Sequence, residues 1–151
     1  MTAAGPNTPS TFELSVPSAT DYLELIRGFV ARICEKFGIP SAPGAHIVAA
    51  VDEAAASVIE HAHRGQPGGE VRLAVAIDYQ KLSIVVTDDG AGHAPEAMSG
   101  PDPCQHLAEL RVGGLGVYLM KTVMDEVEWT RDGARNQVKM VKHLIPKGEG
   151  R

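Results

Sequence analysis

Two apolar runs separated by a single residue limit the possible folds more than any other feature of the chain. Residues 71–79, VRLAVAIDY, and 81–89, KLSIVVTDD, are rich in β-branched and aliphatic side chains, and only Gln80 stands between them. Runs of this length and composition read as strands, and so short a link makes them a hairpin, apolar enough to occupy the middle of a sheet. Such a sheet needs a second layer to cover it. The flanking sequence supplies one. Tyr22, Leu25, Ile26, Phe29, Val30, Ile33 and Phe37 recur at helical spacing, with Ser18 and Asp21 at the spacing of a capping box and Gly38 as a stop. After the turn IPSAPG, a second helix is expected from about Pro43 or Gly44 to Arg64, with Ile47, Val51, Ala54, Val58 and Ala62 as its apolar stripe.

Phe12, Leu14 and Val16 alternate with Glu13 and Ser15, which predicts a strand before the first helix, stopped by Pro17. Residues 1–10 are small and rich in Gly, Pro and Ser, the composition of a disordered N-terminal tail, so order is expected from about Thr11 and residues 11–151 are read as one domain. Residues 90–113 form an unusually long irregular stretch, helical at most around Gln105 to Leu110, and long loops of this kind often act as lids. A third helix is expected over Val117–Asp125, followed by strands EVEWTR and NQVKMVKHLI around the turn DGAR. Met120, Met124, Met140 and Trp129 fall among aliphatic residues and read as core. The order β-α-α-β-β-lid-α-β-β gives an α+β two-layer sandwich, a mixed sheet covered on one face by helices. It lacks the alternating βαβ rhythm in which a glycine-rich turn would signal a Rossmann fold.

Fourteen Lys and Arg against 19 Asp and Glu give a formal charge of -5 with no basic run, which argues against nucleic acid as a partner. Cys34 and Cys104 form no CxxC and no zinc spacing with histidine, as expected in a reducing cytoplasm. No signal peptide and no apolar stretch of membrane-spanning length occur, so the reading is of a cytoplasmic protein with no membrane contact. His61 and His63, two residues apart on a helix, point to different faces and cannot grip one metal ion together.

Three segments can carry chemistry. Glu53, Ser57 and His61 repeat every four residues on the second helix, at the rim of its buried stripe, where they can line a pocket. In VVTDDGAG, residues 85–92, Asp88 ends a buried-type strand and can accept a hydrogen bond from a purine exocyclic amine, which favours adenine. Gly90 and Gly92 let backbone approach the ring. GGLG, residues 113–116, opens a helix, so Gly114 and Gly116 free amide groups to face phosphates.

In this fixed order the segments resemble the GHKL, or Bergerat-fold, ATPase superfamily, and within it the bacterial anti-sigma-factor serine/threonine kinases. AAVDEAAASVIEHAH resembles the family's first box, VTDDGAG its D-x-G-x-G box, and GGLGVYLMKTVMDEVEW its second glycine box, over about Phe12 to Leu144. The resemblance implies a kinase that binds ATP or ADP with Mg²⁺. It implies Glu53 as catalytic base, Ser57, Asp88, Gly90, Gly92, Gly114, Leu115, Gly116 and Val117 as nucleotide-contacting residues, and position 57 as metal ligand. It further implies a sigma factor and a STAS-type anti-sigma-factor antagonist as partners, the antagonist accepting phosphate on serine, and a homodimer. Position 57 departs from the pattern, since the family's Mg²⁺-ligating residue there is Asn and this chain carries Ser57, whose side chain reaches less far. His93, after the D-x-G-x-G box, departs as well and is given no role. The alternative is a GHKL-fold binding module that holds a regulatory partner without phosphoryl transfer. The catalytic half of a histidine kinase and a DNA-topology ATPase share the fold but need further domains for which 151 residues leave no room.

Overall fold

The computed structural model describes residues 8–62, 69–88, 115–132 and 135–144. The described elements are β1 (Ser10–Pro17), a 3-10 turn (Thr20–Tyr22), α1 (Leu23–Lys36), α2 (Ser41–Ala62), β2 (Glu70–Ile77), β3 (Lys81–Asp88), α3 (Leu115–Val123), β4 (Glu126–Asp132) and β5 (Arg135–His143). The strands form a five-stranded sheet in the order β1-β2-β3-β5-β4. The expected central hairpin is β2–β3. Its turn is closed by the Asp78 carboxylate, which accepts hydrogen bonds from the backbone N–H groups of Gln80 (2.8 Å) and Lys81 (2.9 Å).

The expectation of a mixed sheet is corrected: every pairing among the described residues is antiparallel. The crossover through α3 does return β4 parallel in direction to β3. However, the β4–β5 hairpin folds back so that β5 occupies the place between them, and the two parallel strands never share hydrogen bonds.

Alternation along the strands divides the sheet into a buried and a half-exposed face. In β2, Val71, Leu73, Val75 and Ile77 are buried, and in β3, Leu82, Ile84, Val86 and Asp88. Paired residues share a face, so the registers generate rows across the sheet. One row reads Phe12, Val75, Ile84, Met140 and Val127; the next reads Leu14, Leu73, Val86, Val138 and Trp129. Both are apolar throughout. The helices lie on this face, with α2 central, packed on β3 and flanked by α1 and α3. Residues 54–59 of α2, more than one full turn, are all buried, which requires cover on every side of the helix. Met120, Met124 and Met140 lie in this core, as expected.

Ile84 is fully buried at the centre of the sheet. Ile84→Ala should therefore lower unfolding stability by about 2–5 kcal/mol in a denaturant titration, through lost transfer energy and the cavity left under α2.

The ends of α1 follow the sequence only in part. Its C-terminus closes as expected at Gly38, at φ 74°, with Ile39 N–H donating to the Cys34 carbonyl and Gly38 N–H to that of Glu35. A side chain at position 38 would be strained in this left-handed conformation. The capping box is not formed. The Ser18 backbone N–H is committed to the Gly69 carbonyl (3.0 Å), a 3-10 turn intervenes before Leu23, and among the described residues the Ser18 hydroxyl is buried without a hydrogen-bond partner. Anchoring β1 to the entry of β2 has displaced the cap. Helix α2 starts at Ser41, slightly before the expected Pro43, and α3 starts at Leu115 rather than Val117. Cys34 is buried in the α1 interface, and burial pushes its thiol pKa up, which keeps it protonated and inert. Among the described residues no helix is long and apolar enough to cross a membrane.

Candidate functional site

The apolar rows give way to polar residues at one end of the sheet. The row beyond Leu14 and Leu73 begins with Val16 and Val71 and then reaches Asp88, the last residue of β3. Asp88 is fully buried and Asn136 nearly so. The Asn136 amide, Nδ2, donates a 3.0 Å hydrogen bond to the Asp88 carboxylate. Burying a carboxylate is costly unless donors surround it, and Asn136 is one such donor. With its nitrogen so engaged, Asn136 directs its carbonyl Oδ1 elsewhere, and that oxygen is buried without a partner among the described residues.

The sequence reading missed Asn136, although a signal was present. Asn136, Val138 and Met140 alternate on one face of β5, and an amide at a core position of a strand is unusual.

Helix directions bring further groups to the same end. Ala42, Pro43 and His46 at the start of α2 border one cavity with Leu119, Thr122 and Val123 of α3 and Lys142 of β5. The start of α2 therefore lies where β5 ends and β3 begins. From His46 to Ser57 a helix advances about 16 Å, and from Lys142 back to Asn136 a strand covers about 20 Å. The second half of α2 thus approaches the end occupied by Asp88 and Asn136.

Ser57, expected at the rim, is instead 1% exposed, and among the described residues its hydroxyl has no hydrogen-bond partner. Glu53, one turn earlier on the same face, is half-buried, in keeping with the expected rim position. Helix α3 runs opposite to α2, since its last turns border the start of α2, so its first turn at Leu115, Gly116 and Val117 opens toward the Asp88 end. The unpaired amides and positive dipole end of a helix favour an anion there.

Glu53, Ser57 and Asp88, with Leu115 to Val117, are thus directed to one end of the helix-covered face. Gly90, Gly92 and Gly114, the loop from His93 to Val112, and His63, His93 and His106 lie outside the described residues. Two cavities bounded by described residues lie elsewhere: one at the opposite end of α2, the other a groove between β1 and α1.

Chemically, the arrangement offers a buried carboxylate fixed by an amide, two further buried oxygens without partners, and a helix N-terminus. An unpaired buried polar atom costs about 1–3 kcal/mol, and among the described residues Ser57 Oγ and Asn136 Oδ1 are two such atoms that a polar ligand could satisfy. Ser57 Oγ is a hard oxygen donor and fits a hydrated divalent cation.

Comparison with known proteins bears on the family and the fold. The profile of the histidine kinase-like ATPase domain matches residues 16–142. The chain is 32% identical over 128 residues to the serine-protein kinase RsbW of Halalkalibacterium halodurans, covering 82% of this chain and 78% of that one. With RsbW of Bacillus subtilis it shares 29% identity over 142 residues, 91% of this chain and 88% of the relative. In fold it is similar to the RsbU and RsbW domains of a Mycobacterium tuberculosis protein, with a TM-score of 0.62 and 12% identity over 88% of this chain, which spans 31% of that longer one. By the matched profile, the ordered motifs and the antiparallel sheet covered on one face, this chain belongs to the histidine kinase-like (GHKL-type) ATPase family.

Proposed function

We propose that this protein is an ATP-dependent protein serine kinase that acts as an anti-sigma factor, holding a sigma factor in one nucleotide state and phosphorylating a serine of a STAS-type antagonist in another. The observation that carries this reading is the convergence of Asp88, Asn136 and Ser57 on the end of the sheet toward which α3 opens. Homology to serine-protein kinases over most of the chain supports the reaction type.

In this reading Asp88 accepts a hydrogen bond from the adenine exocyclic amine, and Asn136 holds that carboxylate in place. The first turn of α3, with Leu115, Gly116 and Val117, faces the phosphates, joined by Gly90, Gly92 and Gly114. Glu53 takes the proton from the acceptor serine hydroxyl as its oxygen bonds to the γ-phosphorus, and the bond from that phosphorus to the bridging oxygen breaks, releasing ADP. Ser57 would hold Mg²⁺ through its hydroxyl or a bound water, and the ion would supply charge neutralisation on the phosphates. The acidic net charge of -5 fits protein partners, not nucleic acid, in the cytoplasm. Strand β1 lies at the sheet edge next to an exposed Leu25 on α1, a surface open to a second copy in a homodimer.

A second reading is favoured by Ser57 alone: a nucleotide-responsive binding module that holds its partner without transferring phosphate. Calorimetry with ATP, with and without Mg²⁺, followed by intact-mass detection of phosphate on a cognate antagonist, separates the two. Mg²⁺-dependent binding and an added phosphoryl group support the kinase. Binding without transfer supports the module, and absence of binding refutes both. Ser57→Asn should increase the Mg²⁺-dependence of ATP affinity about tenfold, because an amide carbonyl reaches further toward the metal than a hydroxyl.

A further inference from the structure

The end of the molecule remote from Asp88 carries a cavity of about 570 Å³, within the range of small-molecule sites. Its walls are mainly apolar, with Pro43 on α2 and Leu119 and Val123 on α3. Two basic side chains, His46 and Lys142, also border it.

Lys142 stands out by its place in the sheet. It pairs with the buried Leu82, so it lies on the helix-covered face, and it belongs to β5, an interior strand. It is half-buried, and among the described residues its ammonium makes no ion pair or hydrogen bond. A lysine on the inner face of a central strand is uncommon, because desolvating an ammonium without a partner is unfavourable. The Asp125 carboxylate accepts from the backbone N–H of His143 at 2.6 Å and makes no ion pair with Lys142 among the described residues. Helix α2 also begins here, with no acidic residue in its first turn, so its positive end adds to the two basic side chains.

From this charge complementarity we infer that the cavity is a second ligand site, distinct from the nucleotide end, for a small organic anion with an apolar body and one carboxylate. The carboxylate would pair with Lys142 and His46 while the body lies against Pro43, Leu119 and Val123.

The test is an amide chemical-shift titration of the full chain with octanoate, run beside octanol and inorganic phosphate. Saturable octanoate shifts are expected at residues 42–46, 119–123 and 142. Octanol and phosphate should each bind at least about tenfold more weakly, since each lacks one half of the recognition. Lys142→Met keeps the length of the side chain and should weaken octanoate about tenfold or more. His46→Gln, at an exposed position where the fold is not at risk, should weaken it about threefold. Equal affinity for octanol, equal affinity for phosphate, shifts confined to other residues, or unchanged octanoate binding in a well-dispersed Lys142→Met spectrum would each overturn the assignment. Because no nucleotide is used, the outcome is independent of the kinase reading.

Discussion

Glu53→Gln is expected to slow phosphoryl transfer to a serine acceptor by about 10²- to 10⁴-fold, while ATP affinity stays within about threefold of the parent. The substitution keeps the shape of the side chain and removes its charge and its ability to take a proton. In the proposed reaction the serine oxygen attacks a phosphorus that already carries negative oxygens, and its proton must leave as the bond forms. Glu53 suits that role by position: it is half-buried and sits one helical turn from Ser57 on a helix packed on all sides. Stability should change by less than about 0.5 kcal/mol, since the site is not in the core. Single-turnover kinetics with the antagonist, paired with ATP calorimetry, read the two effects separately. Undiminished transfer would remove Glu53 from the chemistry, and a parallel loss of ATP affinity would make it a binding residue instead.

The parts of this structure that were legible in the sequence are those set by local pattern. Period-two alternation located β1, and runs of β-branched and aliphatic residues located β2 and β3; the short link at Gln80 announced their turn, although Asp78 and Tyr79, read as strand, belong to the turn that Asp78 closes. Gly38 ended α1 because only a left-handed residue closes that helix. Errors arose where distant segments decided the outcome. Ser18 lost its predicted capping role to Gly69, about fifty residues away, and β5 took the position between β3 and β4 that would have made the sheet mixed. Neither competition leaves a local trace, because both are contests between alternative partners for the same backbone groups.

The site divides in the same way. Asp88, Glu53 and Ser57 are proposed from their spacing and from resemblance to a family. Asn136 is not, because its meaning comes from register: only after β5 is laid beside β3 does it meet Asp88. Lys142 is the corresponding case at the other end of the same strand, an unremarkable surface residue by type until its pairing with Leu82 turns it inward.

Asp88→Asn should separate binding from folding, because the two depend on different properties of the same group. For folding, the side chain must accept the hydrogen bond from Asn136 Nδ2, and an amide oxygen in the carboxylate's position does so. An amide of nearly the same shape leaves the buried packing unchanged, so unfolding stability should stay within about 1 kcal/mol of the parent. For binding, the group must accept from the adenine amine. Once one amide oxygen is committed to Asn136, the variant presents an NH₂ to another NH₂, leaving two buried donors opposed, and ATP affinity should fall about 100-fold or more. Inosine triphosphate carries a carbonyl where adenine carries the amine, so the variant should discriminate against it far less than the parent does. Asp88→Leu is the contrasting substitution. It strands both polar atoms of Asn136 in the core and should cost about 1–3 kcal/mol of stability as well as nucleotide binding. Calorimetry with the two nucleotides and denaturant unfolding of the three proteins test the scheme. If Asp88→Asn binds ATP as tightly as the parent, the buried carboxylate is a structural partner of Asn136 and the adenine end of the site lies elsewhere.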